Sequence, residues 1–118
     1  VSAVFSPAGG RVLTASRDNT AKLWDATTGD LLRDFVHEDQ VSVHEPKVRS
    51  AVLSPSGRMV LTVAGPTAKL WNATTGDRLE TFAGHFRHIA SAVFSHDEKY
   101  LITCALDGRA KLWRLPRV

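Results

Sequence analysis

Thr20-Ala21-Lys22-Leu23-Trp24-Asp25-Ala26-Thr27-Thr28-Gly29-Asp30 returns almost unchanged as Thr67-Ala68-Lys69-Leu70-Trp71-Asn72-Ala73-Thr74-Thr75-Gly76-Asp77, and in part as Ala110-Lys111-Leu112-Trp113. The tryptophans are 47 and then 42 residues apart. Some twenty residues ahead of each stands a second shared block: Ser2-Ala3-Val4, Ser50-Ala51-Val52 and Ser91-Ala92-Val93. A fixed period of about forty residues is the mark of a repeat architecture, in which one supersecondary unit is copied and stacked.

Each unit reads as short strands divided by turn residues. In the first, alternating apolar residues over 1–5 stop at Ser6-Pro7-Ala8-Gly9-Gly10, and further strands follow at 11–16, 20–25 and 31–36. The second unit places strands near 49–53, 58–63, 67–71 and 78–82, and the third near 89–94, 99–104 and 109–114. No 3.6-residue period competes with this reading. The expected fold is therefore all-β. Four strands per unit at this period describe a propeller blade, so residues 1–118 are read as one partial β-propeller of about three blades. Blade one is 1–36, blade two 44–82, and blade three 85–118 lacks its fourth strand.

The repeated residues resemble the WD-repeat family, whose name-giving dipeptide is matched by Trp24-Asp25 and whose Gly-His marker is matched by Gly84-His85. Asn72 and Arg114 depart from the family's Asp after Trp, and Val43-His44 stands where Gly-His is usual. Blade one's own Gly-His would precede Val1. The resemblance implies a hydrogen-bonded network in each blade, formed by a His ahead of the first strand, a strand Ser or Thr, a turn Asp and the Trp. In blade three these are His85, Thr103, Asp107 and Trp113. Blade one offers Thr14, Asp18 and Trp24. Blade two offers His44, Thr62 and Trp71, and its shortened turn Ala64-Gly65-Pro66-Thr67 has no Asp, so it is expected to be the loosest of the three. Hairpins centred near Asn19 and Gly108 would set Trp24 opposite Thr14 and Trp113 opposite Thr103.

A hydroxyl, an imidazole and a carboxylate are also the parts of a nucleophilic triad, and His85, Thr103 and Asp107 supply them. A threonine inside a strand has no open pocket for substrate, so the trio is read as structural, with a hydrolase as the remote alternative. His37, Glu38, Asp39, His44 and Glu45 in the long loop 36–47 are metal-ligand types, but they show no recognised ligand spacing and are read as a solvated loop. No catalytic residue, metal or cofactor is expected, and no phosphate-binding glycine loop is present. Asn72-Ala73-Thr74 matches a glycosylation sequon within the post-tryptophan turn and is given no weight. The chain is not read as an enzyme.

A formal net charge of +3 is too small to mark a nucleic-acid binder and biases the chain only mildly toward acidic partners. Cys104 is the one cysteine, which excludes an intrachain disulfide and suits a reducing, cytoplasmic setting. No apolar run approaches the roughly twenty residues that a membrane span needs.

Rigid blades leave specificity to the non-repeating loop positions. The resemblance points to the loops entering strand one and the turns between strands two and three. These are Arg17, Gly65 and Pro66, and Leu106 in the turns, with Lys47, Arg49, Phe86, Arg87, His88 and Ala90 at strand entry. Arginines beside an aromatic compose an interface hot spot, so the expected function is a protein-interaction scaffold that takes an acidic or phosphorylated peptide. A regulatory segment of a larger signalling ATPase or kinase is the alternative. Propellers close with about four to eight blades, so three imply either further blades from a longer chain or self-association, for example of two copies. Both stay open at the level of sequence.

Overall fold

The structure, a computed structural model, describes residues 2–16, 20–36, 48–85 and 87–117, the side chains of Val48 and Arg49 excepted. It consists of antiparallel sheets of four, four and three strands and, among the described residues, contains no helix. Blade one is β1 (Ser2–Phe5), β2 (Arg11–Ala15), β3 (Thr20–Asp25) and β4 (Leu31–Val36), paired in that order. Blade two repeats it with β5 (Val48–Leu53), β6 (Met59–Ala64), β7 (Thr67–Asn72) and β8 (Arg78–Phe82). Blade three has β9 (Ile89–Phe94), β10 (Tyr100–Ala105) and β11 (Ala110–Arg114), and among the described residues no strand pairs outside β11. The partial propeller with an incomplete third blade is thus observed.

The turns explain why the repeats read so clearly. At the first hairpin of each blade, Ser6, Ser54 and Ser95 accept with their side chains from the amides of Arg11, Met59 and Tyr100. Gly9 and Gly57 sit there at φ of 79° and 77°, and Glu98 takes the same slot at 59°. After the third strand, Asp25 Oδ1 accepts from the amides of Thr27 and Thr28 at 2.8 and 3.1 Å. Asn72 Oδ1 does the same for Thr74 and Thr75 at 2.8 and 3.0 Å. The Ala-Thr-Thr-Gly-Asp repeat is therefore an Asx-type turn, and Asn72 serves it as Asp25 does.

Alternation along each strand gives every blade two faces. The face of blade one with Leu13, Leu23 and Phe35 packs on the face of blade two with Val60 and Trp71. The opposite face of blade two, with Leu61, Leu70 and Phe82, packs on blade three's Phe94 and Leu101, with Trp113 at its margin. Two aromatic pairs mark these junctions: Phe35–Trp71, with centroids 5.6 Å apart, and Phe82–Trp113, at 5.0 Å. Two polar clasps join successive blades as well. The Arg33 guanidinium donates to Thr74 O, with Nε at 2.9 Å, and Glu98 accepts from Ser56 N and Oγ at 3.1 and 2.9 Å.

The hairpin centres differ from the sequence expectation by one residue, which shifts the cross-strand partners by two. Trp24 faces Val12, and Trp113 faces Leu101. Thr103 faces Lys111, so the β10–β11 hairpin turns about Asp107 rather than Gly108. Threonine and tryptophan become diagonal neighbours on one sheet face, a separation the long indole spans.

Candidate functional site

Within each blade the indole N–H reaches that diagonal threonine. Trp24 Nε1 donates to Thr14 Oγ1 at 3.0 Å, Trp71 Nε1 to Thr62 Oγ1 at 3.0 Å, and Trp113 Nε1 to Thr103 Oγ1 at 2.9 Å. In blade three, His85 Nε2 also lies 2.7 Å from Thr103 Oγ1. Thr62 and Thr103 are fully buried, so each bond satisfies a polar group that water cannot reach. A hydroxyl sealed in this way has no surface on which to meet a substrate.

Asp107 stands apart from the trio His85, Thr103 and Trp113. Its Oδ1 accepts from Arg109 N at 3.0 Å, and its Oδ2 lies 3.9 Å from Arg109 Nε. This is the local backbone bonding to which turn aspartates are prone. His85 is buried, and among the described residues its Nδ1 has no hydrogen-bond partner. The other network residues, Asp18 and His44, lie outside the described residues.

In blades two and three the turns between second and third strands lie at one end, beside blade three's strand-one entry. Gly65 O accepts from Ile89 N at 2.8 Å, which ties blade two's turn to blade three's entry. His88 O accepts from Leu106 N at 2.9 Å, which draws Leu106 against the same entry. Gly65, Pro66, Arg87, His88 and Leu106 are thereby gathered on one surface. Leu106 is 64% exposed, and Arg87, His88 and Ala90 are exposed beside it.

In the shortened turn, Thr67 Oγ1 donates to Ala64 O at 3.1 Å in addition to the Gly65 bond. Gly65 has φ 57°, and the ring of Pro66 fixes a negative φ after it. That sign pattern belongs to a type II′ hairpin, which matches strand twist. Arg17, Lys47 and Phe86, and the loop holding His37, Glu38, Asp39, His44 and Glu45, lie outside the described residues. Arg49 is described by backbone alone, within β5.

Sequence reasoning missed Arg109. Its side chain is 73% exposed and shares the turn with Leu106; its place directly after Gly108 in a variable turn was the available signal. It also missed the opposite end, where an open groove of about 360 Å³ is lined by Arg58, Met59, Glu98, Lys99, Leu115 and Arg117. Charges of both signs meet there. Asp97, at its edge, is held below the ordinary carboxylate value by the Ser95 hydroxyl first and then the Lys99 amide. Among the described residues no group of three metal-ligating side chains converges.

Comparison with known proteins gives these features a family. The target of rapamycin complex subunit LST8 of Saccharomyces cerevisiae is 25% identical over 103 residues, which cover 86% of this chain and 32% of that protein. The chain thus spans about a third of its relative's length. The family profile for the WD domain, G-beta repeat matches residues 1–25 and 76–114, more than half of the chain. With the tryptophan spacing and the paired sheets, that match makes the chain a member of the WD-repeat family.

Proposed function

We propose that the chain is a protein-interaction scaffold that holds an acidic or phosphorylated peptide at the end carrying Gly65, Pro66, Arg87, His88, Leu106 and Arg109. The observation that carries this reading is Leu106, an apolar side chain left 64% exposed on a turn that a backbone hydrogen bond fixes beside His88. Arg87 and Arg109 flank it with exposed guanidinium groups. An apolar anchor ringed by arginine suits a partner segment with one hydrophobic and several acidic residues. Arg17, Lys47, Arg49 and Phe86 extend the surface in this proposal.

Family membership supports the reading, as does the similarity to a protein named as a subunit of a complex. The buried hydroxyls support a chain without catalysis of its own. A cytoplasmic setting belongs to the same reading and suits the free thiol of Cys104.

The test is affinity capture with the wild-type chain and with Arg87→Glu/Leu106→Ser, read by quantitative mass spectrometry and followed by titration of the captured protein. Loss of capture with an unchanged circular dichroism spectrum is expected, together with weaker binding at higher salt. Equal capture by both would refute the assignment of this end.

A further inference from the structure

The groove at the end opposite Leu106 lies between blades two and three, and it is built where the repeat is broken. Arg58 and Lys99 follow the positive-φ slot of their first hairpins, a place that Gly10 holds in blade one. The carbonyl oxygens of Gly10, Arg58 and Lys99 accept from Ala26 N, Ala73 N and Leu115 N at 3.0, 2.8 and 2.8 Å. Leu115 thus stands where the other blades have alanine. Its larger side chain is buried in one apolar cluster with Met59, and the two form the floor of the groove.

The charges around that floor are unequal in what they have left to bind. Both carboxylates are engaged within the fold. Asp97 Oδ1 accepts from Ser95 Oγ at 2.7 Å and from Lys99 N at 3.0 Å, and Glu98 accepts from Ser56 N and Oγ. Arg58, Lys99 and Arg117 are exposed at the rim. Among the described residues none of the three has an ion pair or a side-chain hydrogen bond. The Glu98 clasp ties one wall to the other, and the Leu115–Lys99 backbone bond fixes the floor against the rim. The recess is therefore formed before any partner arrives, which lowers the ordering cost of binding. Among the described residues no aromatic ring lines it, so nucleic-acid bases would find nothing to stack on.

We infer that this groove is a second interaction surface, which takes an extended acidic segment of a partner protein. One aliphatic side chain of the segment rests on Leu115 and Met59, and the carboxylates flanking it pair with Arg58, Lys99 and Arg117. Guanidinium groups take carboxylates in a two-bonded fork, and rim cations around an apolar floor select for charge while the floor supplies the anchor. This surface is separate from the loop end and does not rest on the reading given to it.

The test is fluorescence anisotropy of the chain with a fluorescein-labelled peptide of alternating Asp and Leu, beside its Asn–Leu counterpart and a single-stranded oligothymidine of equal charge. Saturable binding of the Asp–Leu peptide is expected. It should weaken about tenfold or more in Lys99→Glu/Arg117→Glu, through loss of charge-assisted bonds. It should weaken also in Leu115→Ala, which installs the residue of the other two blades. In Arg87→Glu/Leu106→Ser the wild-type affinity should persist. Absence of saturable binding, equal binding of the Asn–Leu peptide, or full affinity in Lys99→Glu/Arg117→Glu with an unchanged circular dichroism spectrum would overturn the inference. Tighter binding of oligothymidine in the same groove would overturn it in favour of nucleic acid. Loss of binding in Arg87→Glu/Leu106→Ser alone would place the peptide at the loop end instead, so the two proposals fail separately.

Discussion

Replacing the network threonines with valine removes one hydroxyl while keeping shape, and the three blades should respond unequally. In Thr103→Val a buried imidazole, His85 Nε2, and a half-buried indole, Trp113 Nε1, lose their bond at once. His85 Nδ1 is already unpartnered among the described residues, so the imidazole would have no bond at either nitrogen. An orphaned buried polar group costs about 1–3 kcal/mol, which puts Thr103→Val at about 2–4 kcal/mol. Thr62→Val strands the buried indole N–H of Trp71 and should cost at least about 2 kcal/mol. Thr14→Val strands the indole of Trp24 on an open face, where water replaces the hydroxyl, and should cost under about 1 kcal/mol. Urea unfolding followed by circular dichroism reads all three. With a slope of about 2 kcal/mol per molar, the Thr103→Val midpoint should fall by about 1–2 M and the Thr14→Val midpoint by less than about 0.5 M. Equal midpoints for the two would refute the burial argument. An unaltered midpoint for Thr103→Val with loss of a hydrolytic activity would show the trio to be catalytic.

Phe82→Ala should destabilise the blade two–three junction by about 3–5 kcal/mol, as expected for a buried phenylalanine, and calorimetry would show it; a cost below about 1 kcal/mol would contradict the stacking on Trp113. Glu98→Ala should be less stable than Glu98→Gly by about 1 kcal/mol, since both lose the Ser56 clasp and only glycine relieves φ 59°; thermal melts compare them. The Asp25 carboxyl is held below its ordinary value by the Thr28 amide and then the Thr27 amide. Its stabilising contribution is therefore complete above the unfolded-state value near about 4 and is lost as pH falls through the lower folded value. Asp25→Asn, which copies Asn72, should give a shallower decline of stability below about pH 4 in acid titrations.

The strands were legible to within about a residue because serine-, glycine- and asparagine-bearing turns bracket them at a fixed period. The register was not, since Asp107 and Gly108 are both turn formers and only the pairing of Thr103 with Lys111 decides which is central. The tryptophan–threonine contacts were legible by family likeness, whereas the turn of Asp107 toward Arg109 was not. A carboxylate that can bond its own loop gives no sign in sequence of which partner it takes. The clasps from Arg33 to Thr74 and from Glu98 to Ser56 join residues about one repeat apart, and no local pattern announces such a contact. Glu98 in a slot held elsewhere by Gly9 and Gly57 was the nearest available clue. The loop end was legible as a set of variable positions, but Arg109 was passed over.

Amide hydrogen exchange of the chain with and without a captured partner would locate the binding surface on the fold. Slower exchange confined to residues 64–67, 87–90 and 105–109 is the expected footprint. Protection at the opposite turns, 54–58 and 95–99, with none around Leu106 would contradict the proposed binding end.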